Sequence, residues 1–183
     1  MFHEKSLLGR HAIALRGGTV TRTRRGTMGD FPLVQRFHDR CTPHSRARRY
    51  HAGATCPTER QWERLVDEGR GVTLLTHEEG SPEHVIAMTN LLRCPGEPGV
   101  LELAVLVEDA WQARLLGTQL FAHARTLARS TGHHALRAYV PRGADRLVSA
   151  IGREAPNRRT FEEGPLVEIC IPLSRTRATQ PSG

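Results

Sequence analysis

Residues 99–119 read GVLELAVLVEDAWQARLLGTQ, and this stretch decides the fold. Its first part, Val100 to Val107, is an almost continuous apolar run of strand length, interrupted only by Glu102, which predicts a central β-strand. From Leu116 onward, apolar residues recur at helical spacing until Gly132, a residue suited to ending a helix. The stretch therefore predicts a buried strand, a turn and a helix, in that order.

The turn from Gln112 to Thr118 opens the predicted helix. The first N–H groups of a helix have no partner within it, and the helix dipole places partial positive charge there. Such a helix start binds phosphate groups without needing a cationic side chain. The sequence therefore predicts a pyrophosphate site between the central strand and the helix.

The segment Trp111 to Thr118, WQARLLGT, resembles the acetyl-CoA loop of the GNAT superfamily of N-acetyltransferases. That loop reads Gln or Arg, two residues, Gly, one residue, then Gly or Ala, and its first and last anchors match Gln112 and Gly117. The middle glycine is replaced by Leu115, and a leucine in a left-handed conformation costs about 1–2 kcal/mol. We therefore expect acetyl-CoA as cosubstrate, with binding weakened by Leu115.

The resemblance extends from about Thr19 to Leu173 and implies the fold. Within it, the segment Thr42 to Tyr50, TPHSRARRY, is similar to a segment near the start of the GNAT domain of bacterial protein lysine acetyltransferases. The implied class is α/β (α+β), the GNAT acyl-CoA N-acyltransferase fold, in which helices flank a mixed, mostly antiparallel twisted sheet.

Three regions are expected along the chain. We predict a flexible N-terminal arm over 1–16, a single domain over 17–173 and a disordered polar tail over 174–183; alternatively, Ala12 to Leu15 extend the first strand. Besides the central strand and its helix, the patterns predict strands at 19–23, 71–77, 84–92, 135–140 and 166–171, and helices at 30–41, 45–51, 58–67 and 144–151.

The resemblance also implies the residues that bind the cosubstrate. The backbone of Val105, Leu106 and Val107 is expected to hydrogen-bond the pantetheine arm as an added strand would. The pyrophosphate is expected on the loop residues Gln112, Ala113, Arg114, Leu115, Leu116, Gly117 and Thr118. Arg114 reaches the adenosine 3′-phosphate or is a solvated loop arginine, and the sequence leaves both open.

Glu102 is the candidate general base, because it is the only carboxylate inside the central strand and matches the glutamate that serves as base in the protein-acetylating subgroup. We expect Leu101, Leu103 and Val105 to bury it, which would make it a stronger base; alternatively, it faces solvent or pairs with an arginine. A general acid is not assigned. Tyr139 is the nearest tyrosine to the family position, and its alternation favours a core or sheet-face role.

Composition excludes several other classes. The 183 residues are enough for one core, and no apolar run approaches the roughly 18 residues of a membrane span, so a cytoplasmic protein is expected. The net charge of +7 comes from 25 arginines and one lysine against 19 acidic residues, but no nucleic-acid-binding pattern accompanies it. Four widely spaced cysteines indicate reduced thiols, and no metal is expected even near His38, Cys41, His44 and His51.

Two functions are consistent with the sequence. The first is acetyl transfer from acetyl-CoA to a primary amine, either a protein lysine or a small-molecule amine, by direct attack with Glu102 as base. The second is a catalytically weakened GNAT domain that binds acyl-CoA as a regulatory or protein-interaction module, favoured by Leu115 and the missing family tyrosine. A homodimer is compatible with both.

Overall fold

A computed structural model of the chain describes residues 11–15, 18–50 and 56–173. Its strands are β1 (His11–Ala14), β2 (Val20–Arg25), β3 (Gly71–Glu78), β4 (Val85–Arg93), β5 (Val100–Val107), β6 (Ala135–Pro141), β7 (Arg159–Glu163) and β8 (Leu166–Pro172). Its helices are α1 (Phe31–Arg40), α2 (Pro43–Tyr50), α3 (Glu59–Val66), α4 (Leu116–Ser130) and α5 (Asp145–Glu154). The strands form one sheet in the order β1-β2-β3-β4-β5-β6-β8-β7.

The sheet is antiparallel except between β5 and β6, which run parallel. This arrangement confirms the predicted fold class. The parallel pair follows from the connection, because β5 returns to β6 through the whole of α4 rather than through a hairpin. Among the described helices, none combines the length and apolar character needed to cross a bilayer.

Helices cover both faces of the sheet, and alternate side chains along β5 pack against the helices on one face or the other. Leu101 and Leu103 pack in one cluster with Phe121 and Leu127 of α4. Leu106 packs on the opposite face with α1 and α3 residues that include Phe37 and Trp62. Glu102 is four residues from Leu106 on the same strand, and side chains an even number of residues apart share a face. Glu102 therefore lies on the face that carries α1 to α3.

Local sequence signals explain the helix boundaries. Thr58 caps α3 by accepting from the Gln61 N–H at 3.3 Å, while the Gln61 side chain accepts from the Thr58 N–H at 2.8 Å. Asp30 precedes α1 as expected, but its carboxylate accepts from Thr27 and Arg24 instead of from the helix. His51, the predicted end of α2, lies outside the described residues.

Two regions differ from the sequence prediction. His11–Ala14 forms β1 and pairs with β2, so the sheet begins before the predicted boundary at residue 17 and includes part of the predicted arm. The sequence does not predict β7, because it is an edge strand whose one large apolar side chain, Phe161, is 52% exposed and gives no inward alternation. The remainder of the arm and the tail at 174–183 lie outside the described residues.

Candidate active site

The central feature of the candidate site is a gap between β5 and β6. Their pairing covers only residues 100–102 on β5 and 135–137 on β6, although both strands continue beyond it. Past Glu102, the edge of β5 that would pair with β6 therefore faces a cavity of about 950 Å³. Val105, Leu106 and Val107, the residues expected to bind pantetheine, line this cavity.

The start of α4 forms another part of the cavity wall. The helical hydrogen bonding begins with the Gln119 N–H donating to the Leu115 carbonyl at 3.0 Å, so the N–H groups of residues 116–118 precede it. Apart from the adjacent residues and the backbone of its own helix, a methyl group attached to the Gly117 Cα would meet no atom within 4 Å, which leaves open space beside those N–H groups. The arrangement provides backbone donors and room for an anionic group.

Leu115 keeps the backbone shape that the family glycine would allow. Its φ is +66°, in the left-handed region, and the neighbouring Ala113 has φ +59°. The Leu115 side chain is 43% exposed, so core packing does not account for this conformation. Leucine in place of glycine therefore lowers the stability of the folded loop but leaves its backbone shape unchanged.

The predicted loop residues do not all face the cavity. Gln112, Ala113, Leu115, Gly117 and Thr118 line it. Leu116 is buried in the core and is 1% exposed, so only its backbone is available to a ligand. Arg114 is not among the lining residues, and its guanidinium lies 5.1 Å from the centre of the Trp111 ring.

The side chain of Gln112 stabilises the loop from within the protein. Its Nε2 donates to the Val107 carbonyl at 2.9 Å and to Ser45 Oγ at 3.0 Å. The first anchor of the predicted motif thus connects the end of β5 to α2. Gln112 itself and the following Ala113 remain part of the cavity wall.

Glu102 lines the cavity where the β5–β6 pairing ends. The expectation that its neighbours bury it is wrong: Glu102 is exposed, because Leu101 and Leu103 point to the opposite face. Its register partner Arg137 is held instead by Glu97 and by Glu168, the latter at 3.0 Å. Among the described residues Glu102 forms no ion pair, so its carboxylate is available to a ligand in the cavity.

Asp109 is not singled out by the sequence, yet it fixes α2 against the end of β5. Its carboxylate accepts from the Thr42 N–H at 2.8 Å, from Thr42 Oγ1 at 2.9 Å and from Ser45 Oγ at 2.8 Å. Burial alone would raise the pKa of Asp109, but these hydrogen bonds outweigh it and hold the pKa below its usual value. The sequence Thr42-Pro43 does indicate the start of a helix. It gives no sign that Asp109 accepts hydrogen bonds there, because Asp109 is 64 or more residues away along the chain.

The remaining candidates have structural explanations. Tyr139 lies on the sheet face that carries Glu102 and lines the cavity, as its alternation indicates.

The four cysteines are free thiols, and burial raises the pKa of Cys41 to about 12, which disfavours a nucleophilic thiolate. His38 is fully buried and bonds to Val34 and Tyr50, and within the described part of the chain no three potential metal ligands form a group.

Solved structures similar to this one are GNAT acetyltransferases. The GNAT domain of S. lividans PAT is 21% identical, with 90% of this chain and 97% of that chain covered and a TM-score of 0.78. The ribosomal-protein-S18-alanine N-acetyltransferase from Escherichia coli is 13% identical, with 87% and 98% covered and a TM-score of 0.63. Spermidine N-acetyltransferase from Vibrio cholerae, in complex with CoA and spermine, is 11% identical, with 85% and 96% covered and a TM-score of 0.64.

At the level of sequence, no family model and no curated protein matches the chain. The similarity is therefore one of three-dimensional structure, and it shows that the chain has the GNAT acetyltransferase fold. It confirms the fold that the loop after the central strand predicted.

Proposed function

We propose that this protein is an acetyl-CoA-dependent N-acetyltransferase that acetylates a primary amine. The observation that carries the proposal is the gap between β5 and β6, which has Glu102 where the strands separate and the free N–H groups of α4 beyond the other end of β5. The five steps from Glu102 to Val107 span about 17 Å of extended strand. An acyl thioester arm can lie along this edge with its phosphates at the helix start.

The proposed reaction is direct attack of the amine on the thioester. The amine nitrogen forms a bond to the acetyl carbon, the C–S bond breaks, and Glu102 accepts a proton from the nitrogen, directly or through water. Backbone N–H groups on the open edge of β5 are suited to stabilise the developing negative charge on the thioester oxygen. Solvent supplies the proton to the departing thiolate in this proposal.

The more specific part of this proposal is that the amine that is acetylated is the side chain of a protein lysine. It is supported by the similarity to the GNAT domain of S. lividans PAT and by the segment from Thr42 to Tyr50, which forms α2 beside the cavity. The competing proposal, a weakened acyl-CoA-binding module, rests on Leu115 and on the missing family tyrosine. The argument from Leu115 loses force because Leu115 retains a left-handed backbone.

The first test is thermal unfolding with and without acetyl-CoA. A ligand at 100 times its Kd stabilises the folded state by about 2.7 kcal/mol, which raises Tm by about 5–10 °C in a protein of this size. We expect that shift with acetyl-CoA and not with adenosine. Release of free CoA thiol in the presence of an amine then separates an enzyme from a binding module, and the absence of both signals contradicts the proposal.

A further inference from the structure

Two side chains of opposite charge line the cavity without neutralising each other. Glu102 stands on β5 and Arg49 on α2, and both contribute to the cavity wall. Glu102 is near enough to raise the pKa of Arg49 electrostatically, although burial of the guanidinium is the larger effect and lowers that pKa overall. Among the described residues, neither side chain forms an ion pair within 4.0 Å.

Neutral groups hold Arg49 in place. Its Nη2 donates to Asn90 Oδ1 at 2.6 Å, and the amide nitrogen of Asn90 donates in turn to Thr73 Oγ1 at 2.8 Å. Its guanidinium lies 4.9 Å from the centre of the Tyr50 ring. These contacts orient the guanidinium without giving it an anionic partner in direct contact.

A buried histidine fixes the ring against which Arg49 packs. His38 Nδ1 lies 2.7 Å from the Val34 carbonyl, which can only accept, so Nδ1 carries the proton. His38 Nε2 therefore accepts from the Tyr50 hydroxyl at 2.5 Å. Burial lowers the pKa of His38 and favours this neutral state, so the pair positions Tyr50 without adding an anion for Arg49.

Arg48 also lines the cavity and has no ion pair among the described residues, but it is exposed, so solvent can screen its charge. Elsewhere on the sheet and α1, Arg137 is paired with Glu97 and Glu168, and Arg40 with Glu108 at 3.0 Å. Arg49 Nε is buried and has no hydrogen-bond partner among the described residues. An anion bound in the cavity would supply both the missing charge and the missing acceptor.

The position of Arg49 separates this anion site from the phosphate site. Its partner Asn90 is opposite Ala104 in the sheet, two residues from Glu102. The start of α4 follows the other end of β5, beyond Val107. The cosubstrate's phosphates are expected at that helix, so an anion bound at Arg49 would belong to the acceptor.

We propose that Arg49 binds a carboxylate of the acceptor, so that the acceptor is an amino-carboxylate whose amine reaches Glu102. This inference rests on the proposed acetyl transfer and specifies its substrate class. Arg49 is a binding residue here: the proton leaves the amine for Glu102, the C–S bond breaks and the N–C bond forms, while the acceptor carboxylate stays paired with the guanidinium. The carboxylate comes from a free amino acid or from an acidic side chain next to a lysine.

Matched acceptors test the proposal. We would measure kcat and KM with acetyl-CoA for 4-aminobutyrate against butylamine, 5-aminopentanoate against pentylamine, and a Glu-Lys peptide against its Gln-Lys counterpart. In the wild type, the carboxylate-bearing member of at least one pair is expected to have a kcat/KM at least tenfold higher, mainly through a lower KM. The pair that shows the preference identifies the source of the carboxylate.

Variants then assign the preference to Arg49. Arg49→Gln is expected to reduce the ratio to near one, Arg49→Lys to retain part of it, and Arg36→Gln, at an exposed position on α1, to leave it unchanged. The acetyl-CoA-induced shift in Tm should persist in all three variants, which shows that they fold and bind the cosubstrate. Equal acetylation of both members of every pair, or a preference that survives Arg49→Gln, overturns this inference alone. Absence of acetylation with every amine overturns the proposed function and this inference together.

Discussion

The two walls of the cavity are built on different principles. The wall formed by the start of α4 offers backbone N–H groups and open space, and no charged side chain of this loop lines it, since Arg114 lies against the Trp111 ring. The wall formed by α2 and β5 depends on side chains: Glu102 and Arg49 provide charge, and Asp109 and Ser45 provide the connection between the elements. A backbone site tolerates side-chain substitution, whereas a side-chain site depends on residue identity.

The largest effect is expected on the side-chain wall, from Glu102→Gln. The amide is nearly isosteric with the carboxylate but cannot accept the proton of the amine, so kcat should fall by about 10²- to 10⁴-fold. Steady-state release of CoA thiol measures this, with acetyl-CoA binding followed by the shift in Tm. Glu83→Gln, at an exposed position between β3 and β4, is the matched control. A Glu102→Gln enzyme with full activity would remove Glu102 from the mechanism.

Next in size is the loss of the connection between α2 and β5 in Asp109→Ala. The carboxylate accepts three hydrogen bonds from Thr42 and Ser45, partly exposed to solvent, so the free energy of unfolding should fall by about 1–3 kcal/mol. Urea unfolding measures the change, and Asp39→Ala, at an exposed position on α1, serves as control.

The same carboxylate gives a pH dependence of defined sign. Because folding lowers the pKa of Asp109 below the ordinary value of 3.8, its stabilising contribution is complete above that value and is lost as pH falls through the folded pKa. The difference in stability between wild type and Asp109→Asn should therefore shrink on acidification below about pH 4. A difference that stays constant from about pH 6 to about pH 3 contradicts the proposed role of the ionised carboxylate.

On the backbone wall, Gly117→Ala is expected to affect binding without affecting folding. The added methyl group meets no atom within 4 Å apart from the adjacent residues and the backbone of its own helix, so the midpoint of thermal unfolding should stay the same or rise slightly. It would occupy the space proposed for a phosphate, and we expect the Kd for acetyl-CoA to rise about tenfold, or about 1.4 kcal/mol. Calorimetric titration measures this, and an unchanged Kd would place the phosphates elsewhere.

The smallest effect is expected from Leu115→Gly. Glycine relieves a left-handed conformation that costs leucine about 1–2 kcal/mol, but it also raises the entropy of the unfolded chain, so a net stabilisation of about 0.5–1 kcal/mol is expected. Because the loop already has this shape, the Kd for acetyl-CoA should change less than about threefold, or about 0.6 kcal/mol. A much tighter complex would instead show that Leu115 obstructs the cosubstrate.

Prediction from the sequence succeeded where the signal was local and periodic. Val100–Val107 is the strand that its apolar run predicts, and α4 begins at Leu116, where helical spacing starts. β7 is missed because an exposed edge strand has no buried face to impose alternation. The predicted burial of Glu102 failed because neighbours in sequence along a strand lie on opposite faces of the sheet.

The sequence by itself determined the strand, the turn and the helix that hold the proposed cosubstrate site, because hydrogen bonds and periodicity within one short stretch of chain specify them. Only the tertiary structure decided which side chains complete the cavity. Arg49 meets Asn90, and Ser45 meets Asp109, across 41 and 64 residues of sequence. Such contacts depend on how the helices pack across the sheet, and residue spacing along the chain carries no record of that packing.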